Sequence, residues 1–232
     1  TLDKIYYNIE LVKNIVYTFW IIAVLHVFGQ YTSHEQLIIY TKPILVPLLA
    51  AFYYHQGSSK IFFVALFFSW LGDVFLMGDG ELFFLAGIFS FWGAQLIYLY
   101  LIYKEIKLPF KRILFSKEGI FAFAIFGSYF AITMKLLGTK LTILTLPVSG
   151  YALTLSSIGA LSMLLWLKNK NTKTAALLFG VSLFIVSDSM IAFNEFYFKK
   201  NVFGFLVMAT YIPAQFLICN YFREIHLNSK YD

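Results

Sequence analysis

Two aspartates stand inside runs that are otherwise almost wholly apolar. Asp73 lies in FFSWLGDVFLM, residues 67–77, and Asp188 in VSLFIVSDSMIAF, residues 181–193. Lys42 lies in a third such run, just before Pro43. Two carboxylates sharing a partly dry cavity repel each other, so one keeps its proton while the other stays ionised. That arrangement supplies a proton donor and a base at neutral pH. An ammonium beside them holds the base ionised or binds an anion. The plain structural alternative is a buried ion network that pins helices, although an apolar pair would do the same at less cost.

The elements that must carry these groups are membrane helices. The chain of 232 residues is 60% hydrophobic and 20% aromatic, with 13% charged residues and a mean hydropathy of +0.75. A soluble domain has about a quarter charged residues. Several continuous apolar runs reach the length of about 20 residues that a bilayer-spanning helix needs. Their continuity argues against a strand-built barrel, whose segments alternate. The net charge of +6 sits in short basic stretches between the runs, which fits topology signals and anionic lipid better than nucleic acid. The one cysteine, Cys219, excludes a disulfide framework. The first apolar run ends in GQYTSHEQ, which reads as a first membrane helix and not as a cleaved signal.

The runs predict an all-α, polytopic fold of eight spans forming one domain: 14–29, 37–55, 60–78, 82–103, 118–135, 141–167, 173–193 and 201–222. The basic stretch KEIKLPFKRILFSKE (104–118) divides two halves, 1–103 and 118–222. Alternating direction places thirteen Lys and Arg, Lys4 to Lys230, on the side of both termini and five on the other: Lys42, Lys135, Lys140, Lys199 and Lys200. That bias puts both termini in the cytoplasm, with a bacterial inner membrane as the expected location. The halves resemble each other weakly. Gly72-Asp73 in the third helix matches Ser187-Asp188 in the seventh, Ala94-Gln95 in the fourth matches Ala214-Gln215 in the eighth, and Pro43 matches Pro147. Offset by four helices, this is a parallel 4+4 repeat, one of two readings alongside chance similarity.

Intramembrane ionisable groups face the bundle interior or a water-filled cavity, so their depths can be compared. At 1.5 Å per residue, Asp73 and Lys42 lie about 6 Å, and Asp188 about 7 Å, outward of their helix centres. Tyr151 and Tyr211 fall near the same level. Gln95 and Gln215 bond across helices or orient a bound molecule. Ser69, one turn before Asp73, and Ser187, beside Asp188, are candidate hydrogen-bond partners of the two carboxylates. Asn194 and Glu195 are expected at the rim of a cavity. Tyr98, Tyr100 and Tyr103 read as an aromatic belt at the cytoplasmic end. His26, His34, His55 and His226 are scattered, so no metal site is expected. Neither a Gly-x-Ser-x-Gly elbow nor a phosphate loop is present.

The ordered set Lys42-Pro43, Ser69-x-x-Gly72-Asp73-x-x-Leu76, Ser187-Asp188-x-x-x-Ala192 and Tyr211-x-x-Ala214-Gln215 resembles the YhhN family of membrane proteins, over about residues 40–220. Its mammalian members are lysoplasmalogenases. The resemblance implies an eight-helix enzyme, without metal or organic cofactor, that cleaves the vinyl ether of a lysoplasmalogen to a fatty aldehyde and a glycerophospho head group. It implies catalytic roles for Asp73 and Asp188. Read from their depth and position around those aspartates, Lys42, Tyr151, Gln95, Tyr211, Gln215, Ser69, Ser187 and Asn194 are the substrate-binding candidates. The implied partners are a lysophospholipid and membrane lipid. One position departs: many members carry His where this chain has Gln95, and Gln does not transfer protons.

Vinyl ethers hydrolyse by protonation at carbon, which leaves an oxocarbenium ion for water to attack. An acid and an anion are needed, as in glycoside hydrolysis. The sequence does not assign the two roles, although Asp188 has no obvious cation near it in sequence. A lipid or small-molecule transporter with a polar midplane site is the second reading. It predicts Gly or Pro helix breaks at the site, whereas proline here reads as sparse and near helix ends.

Overall fold

The computed structural model describes residues 2–55, 59–141, 144–200 and 202–228. Residues 142–143 of the expected sixth span, residue 201 of the eighth, and Lys230 lie outside these. The elements among the described residues are all helical, without a strand: α1 (Leu2–Thr32), α2 (Glu35–Tyr54), α3 (Lys60–Phe75), α4 (Glu81–Ile106), α5 (Phe110–Phe115), α6 (Lys117–Leu141), α7 (Thr145–Asn169), α8 (Thr172–Phe193), a π-helical segment (Asn194–Phe198) and α9 (Val202–Asn228). Seven of them are long and apolar enough to cross a membrane. The expected third span is α3, which has 16 residues and falls short of the roughly 20 that a bilayer core requires. It ends at Phe75 with Leu76 as its C-cap, and Gly80, at φ +98°, a backbone conformation that other residues rarely adopt, turns the chain into α4.

Other ends differ from expectation for local reasons. The central basic connection contains the short helix α5, which Pro109 opens from an extended conformation. Lys135 and Lys140 lie inside α6, not in a loop. Helix α8 opens with a side-chain cap, the Asn171 carboxamide oxygen accepting from Thr174 N at 2.9 Å. Lys107, Lys170 and Lys199 each end a helical segment in the left-handed conformation.

Helix α7 is the centre of the second half. It is 67% buried over its most apolar stretch, against 22% for α1 and 17% for α6, and it touches α4, α6 and α8. Its small residues permit this: a Cβ on Gly159 would come within 2.3 Å of the Phe126 ring. The outward faces carry Val24, Ile132, Leu153 and Phe179, each more than half exposed, as lipid-facing surfaces require.

Prolines inside helices free backbone carbonyls that must find other donors. Pro47 removes the donor that Pro43 O would have, and the Trp70 indole nitrogen donates to Pro43 O at 3.0 Å instead. That bond ties α3 to α2 beside Lys42. Pro213 lies in the middle of α9, two residues from both Tyr211 and Gln215. The expectation that prolines stay near helix ends is therefore corrected.

Candidate functional site

The last turn of α3 brings Asp73, and the last third of α8 brings Asp188, to one cavity of about 740 Å³. Lys42, from the second turn of α2, lines it too. All three are buried. The cavity opens between helix ends, where Gln30, Glu81, Lys140, Asn194, Glu195 and Lys199 surround it. Asn194 and Glu195 stand at this rim as the sequence suggested. Asn194 also binds the Lys200 backbone nitrogen through Oδ1 at 2.8 Å, where α8 passes into the π segment.

Each carboxylate is held from elsewhere in the chain. Asp188 Oδ2 accepts from the Tyr151 hydroxyl at 2.5 Å and from Gln95 Nε2 at 2.9 Å. Asp73 Oδ2 accepts from the Tyr211 hydroxyl at 2.9 Å. In both cases the second oxygen, Oδ1, has no hydrogen-bond donor among the described residues and is not sealed from the cavity.

Behind Tyr211 lies a closed polar ring. Gln215 Nε2 donates to Tyr211 at 3.1 Å and to Ser69 Oγ at 3.2 Å, and Gln215 Oε1 accepts from the Tyr98 hydroxyl at 3.0 Å. Ser69 and Tyr98 meet at 3.4 Å. Ser69 thus reaches Asp73 only through Gln215 and Tyr211, not directly as expected. Ser187 turns away from Asp188 and donates to Val207 O on α9 at 3.2 Å. Tyr98 is not part of an aromatic belt but a buried member of the ring, while Tyr100 and Tyr103 are exposed.

Next to Lys42, Thr41 Oγ1 donates to Leu37 O at 2.5 Å, so it accepts from His26 Nδ1 at 2.7 Å. Tyr98, Thr41 and His26 were not singled out as site residues.

Gly72 sets the distance between α3 and α4. A Cβ there would lie 2.5 Å from the Phe91 ring, and Phe91 lines the cavity and meets Tyr211 edge to face. Gly72→Ala is expected to destabilise the fold by about 1–3 kcal/mol through overpacking. Thermal unfolding in detergent checks this, and an unchanged midpoint would mean that Phe91 swings aside freely.

The fold and cavity define a multi-pass helical membrane protein with a carboxylate-lined chamber at one end of its bundle. The YhhN family profile matches residues 37–221, and the chain belongs to that family. Neither a curated protein nor a solved structure matches it.

Proposed function

We propose that the chain hydrolyses the vinyl ether of a lysoplasmalogen, releasing a fatty aldehyde and a glycerophospho head group, with Asp73 and Asp188 as its acid–base pair. The observation that carries this reading is the shared cavity: two buried carboxylates from different helices line one chamber of about 740 Å³, each with Oδ2 held by hydrogen bonds and Oδ1 without a donor among the described residues. Hydrogen bonds to Oδ2 fix each carboxyl plane, which is the preorganisation that proton transfer and cation stabilisation require.

The substitution of Gln95 for the family's His fits this chemistry. Gln95 acts as a donor to Asp188 and needs to carry no proton. Its Oε1 is buried without a partner, so the amide can turn over and accept from Asp188 when that carboxyl is protonated.

The wider reading has α3 complete eight passes, with both termini in the cytoplasm of a bacterial cell and the protein in the inner membrane. It also has the halves related as a parallel repeat. Supporting the repeat, neighbours recur: α1–α2, α2–α3 and α3–α4 contacts are matched by α6–α7, α7–α8 and α8–α9, and α4–α7 by α9–α2, while the packing of α1 on α9 has no counterpart between α6 and α4. The two aspartates are then held crosswise, Asp73 by α9 and Asp188 by α4 and α7.

Purified protein in nanodiscs, given a 1-alkenyl lysoglycerophospholipid, is expected to release aldehyde while leaving the saturated 1-alkyl analogue intact. An absence of aldehyde above the protein-free control, from folded protein, would reject the hydrolase. Transport is the second reading, favoured by Pro213 in the middle of α9 beside two site residues. It predicts flux of an unaltered lipid into proteoliposomes.

A further inference from the structure

We propose that Lys42 captures an aliphatic aldehyde as a reversible imine inside the large cavity. Lys42 is 9% exposed and lines that cavity, whereas every other described lysine is exposed. Among the described residues its Nζ makes no hydrogen bond and no ion pair within 4.0 Å, yet it is not sealed in protein. The amine is therefore free and open to the chamber. Its place is fixed from both sides: Thr41 is tied to His26 of α1, and Pro43 O to the Trp70 indole of α3.

A lysine kept only as a counter-charge closes on its carboxylate in a short, charge-assisted hydrogen bond. Lys42 makes no such bond. Asp73 is the anion whose charge acts on it, from beyond ion-pair distance and across the same chamber. A buried amine, open on one side, with a carboxylate that reaches its proton through one water, has the parts of a Schiff-base lysine.

On the hydrolase reading, on which the choice of ligand rests, the chamber itself produces an aldehyde beside Lys42. A chamber of about 740 Å³ is of the size that takes small organic ligands. The captured product stays at the site and is not released at once to exposed amines. Water reverses the bond, so turnover is expected to slow as product accumulates.

The step balances with Asp73 as its proton carrier. Asp73 takes a proton from the Lys42 ammonium, and the amine lone pair forms a bond to the carbonyl carbon. The carbonyl π pair moves to oxygen, which takes that proton from Asp73. The nitrogen then gives Asp73 a second proton. Asp73 passes it to the hydroxyl, which leaves as water while the nitrogen lone pair closes the C=N bond. The products are a protonated imine and one water, and Asp73 is a carboxylate again. Lys42 ends with the positive charge it began with, so the charge balance of the chamber is kept.

Reductive trapping tests the capture without any hydrolysis. Protein in nanodiscs at pH 7 is given hexanal and cyanoborohydride, which reduces a protonated imine to a secondary amine and leaves a hexyl group on the lysine. Lys140 and Lys199 are internal controls, because they line the same cavity at its exposed rim. Lysines in water are almost all ammonium at pH 7. Peptide mass spectrometry is expected to find Lys42 marked about tenfold faster than either control, as befits a nucleophilic lysine in a poorly hydrated site. Marking of Lys42 no faster than of Lys140 and Lys199 overturns the proposal and leaves Lys42 a counter-charge to Asp73. That comparison is made within the natural protein, so no variant has to fold. A marked Lys42 in protein that releases no aldehyde from the 1-alkenyl lysolipid keeps the capture and loses the hydrolase. Aldehyde release under cyanoborohydride with Lys42 unmarked keeps the hydrolase and loses the capture.

Discussion

Asp188→Asn is expected to lower aldehyde release by about a hundred- to ten-thousandfold, the range for removing a general acid. The variant should still fold, because an asparagine oxygen at this place can accept from Tyr151 and Gln95 as Oδ2 does now. Loss of rate with an unchanged melting temperature would separate chemistry from packing. The mechanism adds a sharper sign. If Asp188 donates the proton, a small carboxylic acid added to the variant should restore part of the rate in its protonated form. Rescue then falls as pH rises through the buffer's own titration. Rescue that instead rises with pH would make Asp188 the base of the pair. Turnover close to that of the natural protein would remove Asp188 from catalysis altogether.

Asp73→Asn is expected to cost about a hundred- to a thousandfold, comparable to removing a preorganised stabilising group. Here a small carboxylate should rescue in its ionised form, so rescue rises with pH. This variant also carries a structural penalty that Asp188→Asn does not. Lys42 lines the same buried chamber and makes no ion pair within 4.0 Å among the described residues, so removing the Asp73 charge leaves the chamber's buried positive charge less balanced and is expected to cost thermal stability. Asp73→Asn combined with Lys42→Met should therefore recover thermal stability and not activity. If the double variant recovers both, the ionic group is only a helix clamp. Combining the Asp73 and Asp188 changes should cost much less than the product of the single losses, because groups that act as one unit are not additive.

Much of this site was legible in the chain. A carboxylate in an apolar run is rare enough to mark its helix, and counting residues along a helix fixes height to within about a turn. That count placed Asp73, Asp188, Lys42, Tyr151 and Tyr211 at one level, and all five do adjoin the carboxylate chamber or hold its carboxylates. What counting along the axis does not give is rotation about it. Ser69 and Ser187 sit within a turn of the aspartates, yet one faces Gln215 and the other a backbone carbonyl of α9. Tyr98 read as surface because its helix end is rich in tyrosine, but its azimuth turns it into the ring below Asp73.

The sequence by itself determined that this is a helical membrane protein, which helices bear charge, and how deep the charges lie, because burial in lipid forbids most alternatives to an apolar helix. Only the tertiary structure decided who holds whom. Asp73 is gripped by α9 and Asp188 by α4 and α7. Those partners lie 138, 93 and 37 residues away along the chain. Such pairings depend on how helices cross and turn against one another. That is set by close contacts such as Gly72 on Phe91, which no local pattern encodes.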